Sequence, residues 1–243
     1  MSLLFEELDY RDTPIGALSL RRRREMALNV DVYEIKLGEE FLMTSLFTAS
    51  EIALAHLGLK DQTGTALDVV VGGLGLGYTA KAVLDHPNVH ELIVIDALQA
   101  VIDWHQTGLL PLGPELSNDR RCRFVHGDFF ALATSNDGLD PLAPKKKFDA
   151  ILADIDHSPE FLLDDGHASF YRPEGLAKMK AHLKPGGVFG LWSNEHPDAT
   201  FTARLGDVFA EARAEVVTFF NPLQNNEFTQ TVYLATTSTT PSF

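Results

Sequence analysis

Three successive apolar runs in this chain close on a carboxylate: Asp96 after "ELIVI", Asp128 in "FVHGD" and Asp154 in "FDAILAD". Asp156 and His157 follow the last of them at once. An acid at the end of an apolar run is costly to bury unless hydrogen bonds or a cation meet it. Such groups hold hydroxyls, amines and ammonium ions, and a carboxylate within reach of a nucleophile can take its proton. Ahead of them lies "DVVVGGLGLGYTA", Asp68 to Ala80, where β-branched residues run into Gly72, Gly73, Gly75 and Gly77. A strand that stops in a glycine turn and restarts as a helix presents backbone N–H groups to a nucleotide. A tight turn without ligand uses glycine in the same way. Asp96 stands about 20 residues beyond the glycines, where an acid accepts both ribose hydroxyls of a nucleoside. Asp128 is poised to accept a hydrogen bond from an adenine amino group. Each acid also has a structural alternative, since Asp128 could N-cap "FFALAT" and Asp96 could cap "LQAVIDWH". His126, Trp104 and Trp192 read as packing groups.

The elements that must position these residues follow from hydrophobic period. Thr13 to Met43 reads as three short strands, "GALSLRRRR", "VDVYEIKLG" and "EEFLMTS", forming a small antiparallel sheet. Within it Arg21 to Arg24 reads as a solvated strand edge. "TASEIALAHLGL" changes to helical period, with Ser50 as N-cap. From Ala66 strands and helices alternate. The strands are "ALDVVVG", "ELIVID", "CRFVHGD", "FDAILAD" and "VFGLWS". Helices are expected over Tyr78–Asp85, "LQAVIDWH", "FFALAT", Pro173–Leu183 and Phe201–Ala212. "EVVTFF" and "QTVYLATT" close the chain as a hairpin, so the last strand is antiparallel. "SNDGLDPLAPKKK" is expected to be a mobile polar loop, and the tail "TTSTTPSF" to fray. The fold class is therefore α/β, a Rossmann-like, doubly wound sheet of seven mostly parallel strands. A small N-terminal β domain spans residues 1–46 and the catalytic domain residues 47–243. Ligands of such sheets sit beyond the carboxyl ends of the strands, where the acids stand.

Composition narrows the partners. The 243 residues are 45% hydrophobic and carry a net charge of −14, which opposes nucleic acid and anionic lipid as partners. The single cysteine, Cys122, excludes an internal disulfide and suits a reducing compartment. "MSLLFEELDY" has acids where a signal peptide needs positive charge, and no apolar run reaches membrane-spanning length. A cytoplasmic protein acting on small molecules is expected, with a homodimer among its expected assemblies.

A dinucleotide enzyme would need glycine or alanine where "GGLGLGY" places Tyr78. The chain instead resembles the class I S-adenosylmethionine-dependent fold and, more narrowly, the spermidine synthase (polyamine aminopropyltransferase) family. "FDAILADIDHSP" is similar to that family's "YDVIIxDxxDP", "HGDFFAL" to its "GDxFxxL", and "SFYRPEGLAKMKAHLKPGGVF" to its "LYxxEFxxxxxxxLxPGG". The resemblance covers most of the chain. It implies that Gly73, Leu74, Gly75, Leu76 and Gly77 surround the amino-acid tail of S-adenosylmethionine or its decarboxylated form. It further implies that Asp96 and Ala97 hold the ribose, and Asp128 and Phe129 the adenine. Asp154, with Asp156 and His157, then meets a small amine or other small nucleophile. Three departures stand out. The acid of the family's GGGDGG turn falls on Leu76, the second acid of its strand-four motif on His157, and its "YQE" on "ASE", Ala49 to Glu51. Aminopropyl transfer to an amine is the activity implied. Methyl transfer from S-adenosylmethionine is the alternative, and a non-catalytic adenosyl-binding protein a third. Asp164, Asp165 and His167 add oxygen and imidazole groups near Asp154, but their spacing matches no metal signature, and no metal is expected.

Overall fold

The computed structural model describes residues 4–240. Strands β1 (Phe5–Thr13), β2 (Gly16–Glu25), β3 (Val30–Leu37) and β4 (Glu40–Thr44) form an antiparallel sheet in that order. The first of these was not expected, because "FEELDYRDT" has little apolar alternation and owes its extended form to its neighbour. Its register sets Glu6 opposite Arg22 and Glu7 opposite Arg21. The arginine run is thus an interior strand rather than an edge. Arg22 meets Glu6 at 2.6 Å, Arg23 meets Glu34 at 2.8 Å and Arg24 meets Asp31 at 2.9 Å. Opposite charges across strands add only about 0.2–1 kcal/mol each, but a one-residue slip would lose all of them, so they hold the register.

After α1 (Ala49–Leu59), whose N-cap is Thr48 rather than the buried Ser50, the strand–helix alternation begins. It runs β5 (Leu67–Gly72), α2 (Tyr78–Leu84), β6 (Val89–Asp96), α3 (Gln99–Gln106), α4 (Gly113–Asn118) and β7 (Cys122–His126). It continues through α5 (Phe129–Ala133), β8 (Phe148–Ala153), α6 (Pro173–Lys180) and β9 (Leu183–Ser193). Last come α7 (Ala199–Val208), β10 (Glu211–Asn221) and β11 (Asn226–Thr236). The strand order is β10-β11-β9-β8-β5-β6-β7, parallel from β9 to β7, with β11 antiparallel to both its neighbours. Helix α4 was not expected, and α7 stops before Ala212 because Glu211 already pairs with Thr236. The segment 135–147 is pinned rather than loose: Asp140 receives Arg123 at 2.9 Å, and Lys146 reaches Asp68 at 3.3 Å. The tail is tied down as far as Ser238, whose carbonyl accepts from Gly186 N at 3.0 Å; residues 241–243 lie outside the described residues.

Both faces of the sheet are covered, so its central strands read as continuous apolar runs. Val69 and Val71 pack toward α1, α2 and the N-terminal sheet, while Val70 faces Phe129, Phe170, Phe189 and Phe201. Gly72 stands level with Ile95 on one neighbour and Ala153 on the other, and Asp96 with His126. Strand order reverses between β5 and β8, which opens a crevice at this common edge. The N-terminal sheet lies over it, docked by Trp104 Nε1 on Asp9 at 2.6 Å and by Arg11 on Asp103 at 2.6 Å.

Candidate active site

A cavity of about 290 Å³ occupies this crevice. Of the residues expected at the site, Gly73, Leu74, Gly75, Asp96, Ala97, Asp128, Phe129, Asp154 and His157 line it, whereas Leu76, Gly77 and Asp156 do not. The turn needs glycine because the protein itself crowds it. Gly73 has φ +90°, and a Cβ there would sit 2.1 Å from the Asp154 carbonyl oxygen. A Cβ on Gly75 would sit 2.6 Å from Met43 Sδ. Leu76 turns into the core, and its N–H points at Met43 Sδ at 2.9 Å. Beneath the turn, His105 Nε2 donates to the Gly75 carbonyl at 2.9 Å. Burial pushes this imidazole down to about 4, so it stays neutral and holds the turn as a donor.

Of the two nucleoside-type acids only Asp128 caps a helix; α3 begins after Leu98 without a side-chain cap. Asp96 accepts from Leu74 N and Leu98 N, each at 2.8 Å, so it locks the glycine turn and the entry to α3 together. Burial raises its pKa against the pull of these backbone donors. Each oxygen keeps a second lone pair. Asp128 caps α5 through one oxygen, accepting from Phe130 N at 2.8 Å and Ala131 N at 3.1 Å. Its other oxygen makes no hydrogen bond among the described residues. Ala97, Leu98, Val101, Phe129 and Ile155 supply the apolar walls between these two acids.

Asp154 follows the last residue of β8 and lines the cavity. Its backbone N–H continues the ladder to Gly72, and one carboxylate oxygen accepts from Thr79 Oγ1 at 2.6 Å. Burial lifts the carboxyl to about 6 despite that hydrogen bond. Facing it from α1 is Glu51, 7% exposed, lifted to about 7 by burial and by the charge of Asp154. Ser50 explains how Glu51 is held. Its hydroxyl accepts from Trp192 Nε1 at 2.8 Å and lies 2.6 Å from Gln230 Oε1 and 2.8 Å from Glu51 Oε2. Gln230 donates its amide nitrogen to Asn194 at 2.8 Å, so its oxygen faces Ser50. The Ser50 hydroxyl also donates toward Glu51 Oε2, a contact that works against the effect of burial on this carboxyl.

A family model described as the spermine/spermidine synthase domain matches residues 48–217. The chain belongs to the spermine/spermidine synthase family. A curated relative, polyamine aminopropyltransferase 2 of Pseudomonas aeruginosa, is 24% identical over 164 residues, covering 63% of this chain. The match spans 44% of that protein, less than half its length. Among solved structures, a spermidine synthase in complex with the transition-state analogue AdoDATO superposes with a TM-score of 0.71 at 19% identity. That likeness covers 97% of this chain and 75% of the other. Spermidine synthase from Thermotoga maritima gives 0.69 at 18% identity, over 97% and 73%. These neighbours share the fold of the seven-stranded sheet and its N-terminal sheet.

Of the last two expected residues, Asp156 is brought elsewhere and His157 stays at the cavity. Asp156 is 1% exposed and does not reach the cavity: strand alternation would set it on the same face as Asp154, but the chain leaves the strand after Ala153 and turns it inward. It accepts from Leu163 N at 2.8 Å, His167 Nδ1 at 2.9 Å and Tyr171 OH at 2.8 Å, and so anchors the loop before α6. Burial works against the charge on His167, but Asp156 outweighs it and raises its pKa. His157 stays at the cavity wall, its Nε2 2.9 Å from Glu40 Oε1 and its ring over Phe161. Among the described residues no group of three or more His, Cys, Asp or Glu side chains is arranged to hold a metal. Sequence reasoning missed Glu51, Thr79, Met43 and Trp192. Only Glu51 left a signal, as the acid of "ASE".

Proposed function

We propose that the chain transfers the aminopropyl group of decarboxylated S-adenosylmethionine to the nitrogen of a small amine. The observation that carries this reading is the Asp154 carboxyl. It is held by Thr79 at the wall of a cavity whose other acids suit a nucleoside. Asp96 would take the ribose hydroxyls on its spare lone pairs, and Asp128 the adenine amino group on its free oxygen. The reacting carbon then lies near the strand ends, between the glycine turn and Asp154. The amine lone pair attacks the methylene beside the sulfonium; the N–C bond forms as the C–S bond breaks. The electron pair stays on sulfur, leaving methylthioadenosine, and the new ammonium passes its proton to Asp154. A carboxylate shifted toward neutrality is a better base there than an ordinary one, and such a group contributes roughly 10²–10⁴-fold. The leaving group is already activated by its charge, so the remaining task is alignment.

One observation favours methyl transfer as the second reading. Gly73, Leu74 and Gly75 line the cavity and carry no acid that would repel the carboxylate of S-adenosylmethionine. Leu76, buried in the core, has no part in that choice. Among the described residues no helix is long and apolar enough to cross a membrane. A cytoplasmic reaction suits the composition. Calorimetry with decarboxylated S-adenosylmethionine, S-adenosylmethionine and methylthioadenosine tests the reading. Tightest binding of the decarboxylated form and its product supports it, tightest binding of S-adenosylmethionine favours methyl transfer, and no binding of any overturns both.

A further inference from the structure

We propose that His167 reads the nucleoside base: its Nε2–H donates to a ring nitrogen of adenine beside the amino group, which itself donates to Asp128. This rests on the proposed binding of an adenosyl sulfonium and concerns the base end of the same cavity. His167 stands in the short turn Asp165–Ser169 and lines the cavity with Asp128, Phe129, Phe130 and Asp164. Its ring is fixed on two sides. Nδ1 lies 2.9 Å from Asp156 Oδ1, and Asp156 is buried and held in turn by Leu163 N and Tyr171 OH. The imidazole packs on Phe130, with ring centroids 4.0 Å apart and planes inclined by 32°. Both contacts with the Asp156 carboxylate run from Nδ1, and Nε2 makes no hydrogen bond among the described residues.

Nδ1 donates to a carboxylate, which leaves Nε2 as the polar atom for a ligand. Burial works against a charge on the ring, but the Asp156 hydrogen bond and the charges of Asp156, Asp128 and Asp164 raise its pKa. That favours the doubly protonated imidazole, in which Nε2 is a donor. Asp128 spends one oxygen on Phe130 N and Ala131 N and keeps the other free. His167 forms its ion pair with Asp156 and none with Asp128 among the described residues. The base end of the cavity thus holds an acceptor and a donor that do not satisfy each other. Adenine presents the complementary pattern, an amino donor flanked by acceptor nitrogens at N1 and N7.

Methylthioadenosine and its 1-deaza and 7-deaza analogues all keep the amino group, and each analogue lacks one of those nitrogens. Their binding to the wild-type protein and to His167→Asn is measured by calorimetry. The asparagine amide nitrogen takes the place of Nδ1 as donor to Asp156, with nothing in the place of Nε2. The expected result is that one analogue binds the wild-type protein about tenfold or more weakly than methylthioadenosine, and that this difference vanishes in His167→Asn. A variant that only loosened the turn would weaken all three ligands alike and keep the difference between them. In the wild-type protein the ¹⁵N resonance of His167 Nε2 should shift on binding methylthioadenosine and much less on binding that analogue. Equal binding of all three ligands to the wild-type protein overturns the proposal, as does a difference that persists in His167→Asn or an equal ¹⁵N shift with both ligands. Failure of methylthioadenosine itself to bind overturns the underlying adenosyl reading instead.

Discussion

Replacing Glu51 by glutamine should change how stability depends on pH more than it changes the fold. The amide oxygen of the glutamine can still accept from Ser50 Oγ, so the link to Trp192 and Gln230 is kept. What disappears is a titration. Burial and the Asp154 charge move Glu51 from an ordinary 4.5 to about 7. With the folded value raised, the unfolded chain gives up its proton first as pH rises. Stability associated with this group is therefore full below about pH 4.5 and is lost as pH climbs through 7. A difference of that size corresponds to roughly 3 kcal/mol once both states are ionised. Urea unfolding followed by tryptophan fluorescence should show wild type and Glu51→Gln close together near pH 4.5. By about pH 8 the variant should be more stable by about 3 kcal/mol. Unfolding free energies that run parallel over the whole range would refute the raised pKa of Glu51.

Asp154→Asn keeps the shape and the Thr79 contact but removes the proton acceptor. It should lower kcat roughly 10²–10⁴-fold with methylthioadenosine affinity nearly unchanged, read by steady-state kinetics and calorimetry. Asp156→Asn leaves Tyr171 OH and His167 short of a buried charged acceptor. A loss of roughly 2–4 kcal/mol in unfolding free energy is expected, with kcat falling less than for Asp154→Asn wherever the protein stays folded. Gly73→Ala would drive a Cβ into the Asp154 carbonyl at a backbone angle disfavoured for alanine, displacing both strand ends; calorimetry should find adenosyl binding lost in protein that still unfolds cooperatively. Asp128→Asn keeps an oxygen for the α5 cap while exchanging the free oxygen for an amino group, so adenosyl affinity should fall by roughly 1–3 kcal/mol.

Strand-terminal acids were legible because an apolar run has a visible end, and parallel pairing brings those ends to one edge. That logic located Asp96, Asp128 and Asp154 at the cavity. It could not separate Asp154 from Asp156, since two acids at i and i+2 share a face in a continuing strand and part only because the chain leaves the strand after Ala153. Strand β1 was invisible for a related reason: its extended form comes from glutamates paired with arginines on β2, a tertiary effect without apolar period. The glycines were legible as close approach but misleading about what approaches. Asp154's own backbone and Met43, from a different sheet, crowd them. Glu51 depends on Ser50, Trp192 and Gln230, joined only when α1 packs on β9 and β11. Its raised pKa belongs to the assembled site and not to any local motif.

Product analysis tests the central claim most directly. The purified protein is incubated with decarboxylated S-adenosylmethionine and 1,4-diaminobutane, and separately with S-adenosylmethionine and the same amine, and the products are separated by mass. Aminopropyl transfer predicts methylthioadenosine and an amine heavier by one aminopropyl group, in equal amounts, from the first mixture, and their loss in Asp154→Asn. S-adenosylhomocysteine and a methylated amine from the second mixture, with no methylthioadenosine from the first, would contradict it.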